Sequence, residues 1–203
     1  MSTDSYTRAF LRESVAIVES LNPSEIDDVA AVIAETKLRG GRLFFAGSGG
    51  GAGHASHATS DFRKLGGIEA YSISDNVSEL TARVNDDSWE ETYSGWLNVS
   101  RICADDCLFV FSVGGGDREL GISVNLIRAI ETSLDAGAAV VGVVGRDGGF
   151  LRRNAAASIL IPTVIPEHVT TQVEGFQALM WHLLIGHPDI GSATPKWESS
   201  AVQ

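Results

Sequence analysis

Five short apolar runs set the tightest limit on what this chain can fold into. They occupy residues 43–46, 70–73, 108–111, 140–144 and 159–161. They are rich in β-branched and aromatic residues and nearly continuous in apolar character, as strands buried on both faces should be. Helical patterns lie between most of them. The clearest spans 118–136, with Leu120, Val124, Ile127, Ala129, Ile130 and Leu134 at helical spacing and Gly137 as its stop. Strands alternating with helices join through right-handed crossovers, which predicts an α/β fold: a parallel sheet with helices on both faces. Two helices precede the sheet. Phe10, Ile17, Val18 and Leu21 form one stripe; Pro23 and Ser24 restart a second through Ile26, Val29, Ile33 and Leu38, which Gly40 and Gly41 end. A last helix over about 170–186 stops before His187 and Pro188, and the polar stretch 191–203 reads as a flexible tail. One domain over 1–190 accounts for the rest of the chain.

Composition narrows the function. The 203 residues carry 26 acidic against 15 basic side chains, a formal charge of −11. That balance argues against a nucleic-acid binder, which gathers Lys and Arg on one face. No apolar run approaches the roughly 20 residues that span a bilayer. The start, MSTDSYTRAF, has no apolar signal region. The two cysteines, Cys103 and Cys107, stand four apart; they exclude a disulfide framework and predict reduced thiols on a helix surface. The expectation is a soluble cytoplasmic protein.

Open parallel sheets take their ligands beyond the carboxyl ends of the strands. Two glycine clusters fall there. Gly47-Ser48-Gly49-Gly50-Gly51-Ala52-Gly53 follows the first strand, and Ser112-Val113-Gly114-Gly115-Gly116-Asp117 follows the third. Either alone reads as a tight turn. Together they predict an anion held by backbone N–H groups and helix N-termini. Neither is a P-loop, because no Gly-Lys-Ser/Thr follows, and the first fits the dinucleotide fingerprint only weakly. A nicotinamide oxidoreductase is disfavoured further by the lack of an acidic residue clearly placed after the second strand.

Only five histidines occur, at 54, 57, 168, 182 and 187. His57 and Asp61 lie one helical turn apart on one face, a spacing a divalent metal can use, with His54 as a further neighbour. Glu174 and His182 sit in the apolar last helix, where a buried carboxylate needs a partner or a metal. From the pattern alone, a capping or surface Glu174 with a hydrogen-bonded core His182 is the preferred reading. Asn85, Asp86 and Asp87 read as turn formers, and Asp147-Gly148-Gly149 as a turn.

Taken together, these residues resemble the SIS (sugar isomerase) family, and within it the sedoheptulose 7-phosphate isomerases, also called phosphoheptose isomerases. The landmarks are AGSGGGAGHASHATSDF, SISDNVSELTARVNDD, FVFSVGGGDREL, VVGRDGG and VEGFQALMWH. The resemblance implies a three-layer SIS fold with a five-stranded parallel sheet preceded by N-terminal helices. It implies one Zn²⁺ per subunit held by His57, Asp61, Glu174 and His182. Isomerisation of sedoheptulose 7-phosphate through a cis-enediol would use Asp61 as base and His182 as acid. Substrate would be bound by Ser48, Gly49, Gly50, Gly51, Asn85, Asp86, Ser112, Gly114, Gly115, Gly116 and Asp117, in a homo-oligomer, most simply a tetramer. The chain departs from the family pattern at Asp61 (usually Glu), at Glu174 (usually Gln), and at both loops, where Ser48 and Gly51 replace Asn and Ser and only Ser112 keeps a hydroxyl. Phosphate binding is then expected to rest on backbone N–H groups. The competing reading from another class is a phosphosugar-sensing or partner-binding SIS module without catalysis.

Overall fold

The computed structural model describes residues 3–191 and 193–196. Five parallel strands, β1 Leu43–Gly47, β2 Ala70–Ser72, β3 Cys107–Ser112, β4 Ala139–Val144 and β5 Ala157–Leu160, form one sheet in the order β2-β1-β3-β4-β5. The chain leaves β1 toward one edge and returns to build the other, so the order reverses between β1 and β3. Their neighbouring carboxyl ends flank a topological switch point, the place where such sheets open a crevice.

Alternate strand residues face opposite layers, and both layers are helical, so both need apolar side chains. Leu43, Phe45, Phe109, Phe111, Val141 and Val143 pack against α1 (Thr3–Ser20), α2 (Pro23–Leu38), α3 (Gly50–Lys64) and α8 (Val169–Ile185). Phe44, Ala46, Leu108, Val110, Val140 and Val144 pack against α5 (Thr92–Val99), α6 (Val124–Asp135) and α7 (Gly149–Asn154). Burying each such Phe or Leu stabilises the fold by about 1.5–3 kcal/mol. The short helix α4 (Val77–Asp86) differs, because none of its residues is buried. At the amino ends of the strands, Asp106 accepts from Arg42 N at 2.9 Å, Arg42 Nη2 at 2.7 Å and Cys103 N at 3.0 Å, tying the start of β1 to the start of β3. Burial alone would raise the Asp106 pKa; the hydrogen bonds and charge of Arg42 outweigh it and hold the carboxyl below its usual range.

Several expectations need correction. The helix expected over 118–136 begins only at Val124. Asp117 and Ile122 exchange backbone hydrogen bonds at 2.9 Å in an antiparallel bridge, consuming groups that a helix would use. Gly121 and Ser123 are left-handed, with φ of 64° and 53°, and Leu120 points into solvent. The cysteines are not on a helix: Cys103 is exposed in a loop and Cys107 is buried at the start of β3, its thiol pushed up to about 12 by burial. Val18 is half-exposed rather than in the core, while Glu13 of the same helix is buried with His168 Nδ1 at 2.6 Å. The expected tail lies partly outside the described residues. Just before it Ile190 is buried, and within it Ala193 N donates to Leu65 O, so its beginning is docked.

Candidate active site

The first glycine loop runs straight into a helix. Gly49 takes a φ of 57° and Gly50 is already the first residue of α3. Gly51 packs so close to β3 that a Cβ there would meet Phe111 O at 2.8 Å. Tyr93 donates its hydroxyl to Gly47 O at 2.7 Å, and burial raises its pKa, so it remains a neutral donor beneath the loop.

Two turns along α3, His57 and Asp61 meet His182 of α8. The three residues offer ligand atoms that all lie within 4.8 Å of one another. His57 Nε2 stands 3.9 Å from Asp61 Oδ2. His182 Nδ1 lies 2.7 Å from Ala178 O, and because a carbonyl can only accept, that nitrogen is the donor and Nε2 is the nitrogen left for a metal. Asp61 is the enclosed member, with 21% of its side chain accessible against 61% for His57. His182 is exposed rather than buried in a core, which sets aside the expectation of a largely buried last helix on this side.

Glu174 does not join this group. Its carboxylate stands over the first turn of α3, where a Cβ at Gly50 would meet it at 2.6 Å. A negative charge at a helix N-terminus is favourable, which explains the position. His54, one turn before His57, is its neighbour. Burial lowers the His54 pKa, and the Glu174 carbonyl and carboxylate oppose that only in part, so the ring is held neutral near pH 7.

A cavity of about 610 Å³ opens at the carboxyl ends of β1, β3 and β4. Ser48 lines it from the first loop, Ser112, Gly114, Gly116 and Asp117 from the second, and Arg146, Asp147, Gly149 and Arg153 from the turn and helix after β4. The second loop is fastened to that turn: Leu151 N donates to Gly115 O at 2.9 Å and Phe150 N to Gly116 O at 3.0 Å. Gly115 does not face the cavity as expected. With a φ of 74°, its absent side chain would run into the Gly148 carbonyl, so this glycine permits a backbone contact instead. Asn85 and Asp86 lie in the exposed last turn of α4, Asn85 Nδ2 bonded to Asp86 Oδ1, and neither lines the cavity.

Reading the sequence missed three contributors. Arg146 and Arg153 reach the cavity from behind a turn that looked merely structural. Asn125 is fully buried, donates to Ser48 Oγ at 3.3 Å, and leaves its own Oδ1 without a partner among the described residues. The only signal available for it was a polar residue on the apolar face of α6.

No family model matches the chain. A lincomycin biosynthesis protein, LmbN of Streptomyces lincolnensis, is 31% identical over 190 residues, covering 89% of this chain and 67% of its own. The phosphoheptose isomerase of Shewanella denitrificans is 28% identical over 191 residues, covering 92% of each. Among solved structures, the phosphoheptose isomerase GmhA of Neisseria gonorrhoeae superposes with a TM-score of 0.80 at 20% identity, over 91% of this chain and 98% of that one. The chain belongs to the phosphoheptose isomerase-like SIS family. The similarity leaves out too little of the chain to miss either glycine loop, so the cavity and the α3 helix lie within the part shared with these relatives.

Proposed function

We propose that this chain is an aldose–ketose isomerase interconverting sedoheptulose 7-phosphate and a heptose 7-phosphate through a cis-enediol. The observation that carries the reading is the pairing of a metal-type group, His57, Asp61 and His182, with a cavity of about 610 Å³ walled in part by the second glycine loop. A sensing module needs the second but not the first.

Two imidazoles and a carboxylate within mutual reach suit zinc, and the Ala178 carbonyl already orients His182 to present Nε2. His57, Asp61 and His182 would hold one ion per subunit; Glu174, drawn to the α3 N-terminus, stands outside that set. When bound, zinc supplies Lewis-acid polarisation of a carbonyl. The chain's own residues do the rest. Asp61, the carboxylate of the group, takes the proton from the carbon beside the carbonyl. His182 carries a proton between the two oxygens, and the loops hold the phosphate so that the reacting carbons stay in register.

Exposed apolar residues support an oligomer, which we take to be a tetramer. Leu11 and Val15 of α1 and Leu179 and Leu183 of α8, the last pair flanking His182, stand in solvent, and α4 buries nothing. The free thiols fit a reducing cytoplasm, and no helix among the described residues is long and apolar enough to cross a membrane.

The test is conversion of sedoheptulose 7-phosphate by zinc-loaded protein in deuterated water. An enediol exchanges with solvent, so the product should carry deuterium at the carbon that gains the proton. Product without deuterium points to a hydride shift or shielded return, and no conversion leaves the sensing module as the better reading.

A further inference from the structure

The cavity contains two cations that make no ion pair with a carboxylate among the described residues. Arg39, Arg42, Arg83, Arg118, Arg128 and Arg152 are all paired with Asp or Glu. Arg146 and Arg153 line the cavity and have no ion pair or side-chain hydrogen bond among the described residues. In a chain with a formal charge of −11, positive charge left open at one concave place is selective. Two acids line the same cavity and balance its formal charge, but neither pairs with these arginines: Asp117 Oδ1 accepts from Leu120 N at 2.9 Å and Asp147 Oδ1 from Gly149 N at 3.2 Å, so the guanidinium donors stay open.

Three further observations point the arginines at an anion. Arg146 is one of three non-glycine residues with positive φ among the described residues, at 55°, a conformation that costs energy and recurs at ligand clamps. Its side chain crosses Gly114, where a Cβ would meet Arg146 Cδ at 3.5 Å. The amides of Gly114 and Gly116, both on the cavity wall, have no partner among the described residues, whereas that of Gly115 is used by Ser112 Oγ at 3.0 Å. A loop this poor in hydroxyls presents N–H groups but little charge, and a phosphate dianion needs both.

We propose that Arg146 and Arg153 clamp the phosphate dianion of the substrate, with the Gly114 and Gly116 amides completing its shell. The proposal rests on the phosphosugar reading for the identity of the ligand but not for its chemistry. Guanidinium groups give charge-assisted, geometrically matched bonds to phosphate oxygens, and would select the dianion over an uncharged sugar.

Calorimetry with inorganic phosphate, sedoheptulose 7-phosphate and unphosphorylated sedoheptulose tests this on the full chain, using Arg146→Gln, Arg153→Gln, the double variant and the two Lys variants. Each Gln variant should weaken both phosphorylated probes by about tenfold and the double by about a hundredfold. Lys should restore part of the loss, KM should rise far more than kcat falls, and sedoheptulose should be unaffected. Unchanged melting temperatures, expected of exposed side chains, exclude misfolding. Wild-type affinity for both phosphate probes in the double variant overturns the clamp while leaving the isomerase intact, whereas a wild type that binds neither phosphate probe overturns both. Arginine-dependent binding of inorganic phosphate without turnover of sedoheptulose 7-phosphate upholds the clamp and removes the isomerase.

Discussion

After β1 the chain turns on Gly49 and goes directly into α3, so the loop and two members of the metal-type group share one helix, with His57 and Asp61 two to three turns from the glycines. After β3 it does something else. The glycines are stitched to the turn after β4, a six-residue strap over 117–122 lines the cavity with Asp117, Leu120 and Ile122, and α6 starts only at Val124. Arg118 pins the strap by its ion pair with Glu131 and its place 5.2 Å over the Phe150 ring. Two loops of similar composition at adjacent strand ends thus serve different ends: one aims side chains, the other shapes a space. Glycine content reports neither job. The element each glycine leads into, and the atoms that touch its α-carbon, report both.

The largest expected effect lies on the α3 side. Asp61→Asn and His182→Gln should each lower kcat by about 10²–10⁴-fold, with metal content measured in both, since each residue is also a proposed ligand. Near-normal turnover in Asp61→Asn with metal retained would exclude Asp61 as base and turn attention to Glu174. His57→Ala should empty the metal site whereas Glu174→Gln should not; equal metal loss in both would return Glu174 to the ligand set.

On the second loop the damage should be structural. Gly115→Val forces a β-branched residue to positive φ and into the Gly148 carbonyl, which should cost about 2–4 kcal/mol of stability on top of lost phosphate affinity. A normal melting temperature for this variant would show that the loop is not fastened to the β4–α7 turn.

A control sits at the far ends of the same strands. Asp106→Asn breaks the pairing with Arg42 and should cost about 2–3 kcal/mol while leaving KM unchanged. Because the folded pKa of Asp106 is depressed, its contribution is fully present above the unfolded value near 4 and is lost as pH falls through the lower folded value. Acid unfolding of wild type should therefore steepen below about pH 4, and the Asn variant should lack that component. The smallest effect contrasts the loops most directly. Gly53 lies inside α3 with open space around its α-carbon, so Gly53→Ala should stabilise by about 0.5–1 kcal/mol, the opposite sign to Gly115→Val.

Much of the site was legible because its signals are local. His57 and Asp61 share a helix face by spacing alone, and glycines at strand ends mark a crevice in any parallel sheet. Glu174 and Gly115 were misplaced because their roles depend on neighbours remote in sequence: Gly50 for one, Gly148 for the other. The strap was read as helix because Leu120 keeps helical spacing with Val124, and a periodic pattern does not reveal that Asp117 and Ile122 have paired their backbones.

The sequence by itself determined the strands, since only a sheet covered on both faces tolerates runs as apolar as 43–46 and 108–111, and it determined the helix that carries His57 and Asp61. Only the tertiary structure decided that His182 closes on them, that Asn125 reaches Ser48, and that Arg146 and Arg153 stay unpaired at the cavity. Strand and helix periodicities come from backbone geometry repeating over a few residues. Meetings between residues 57 and 182, or 48 and 125, depend on the order of strands in the sheet, which no local pattern encodes.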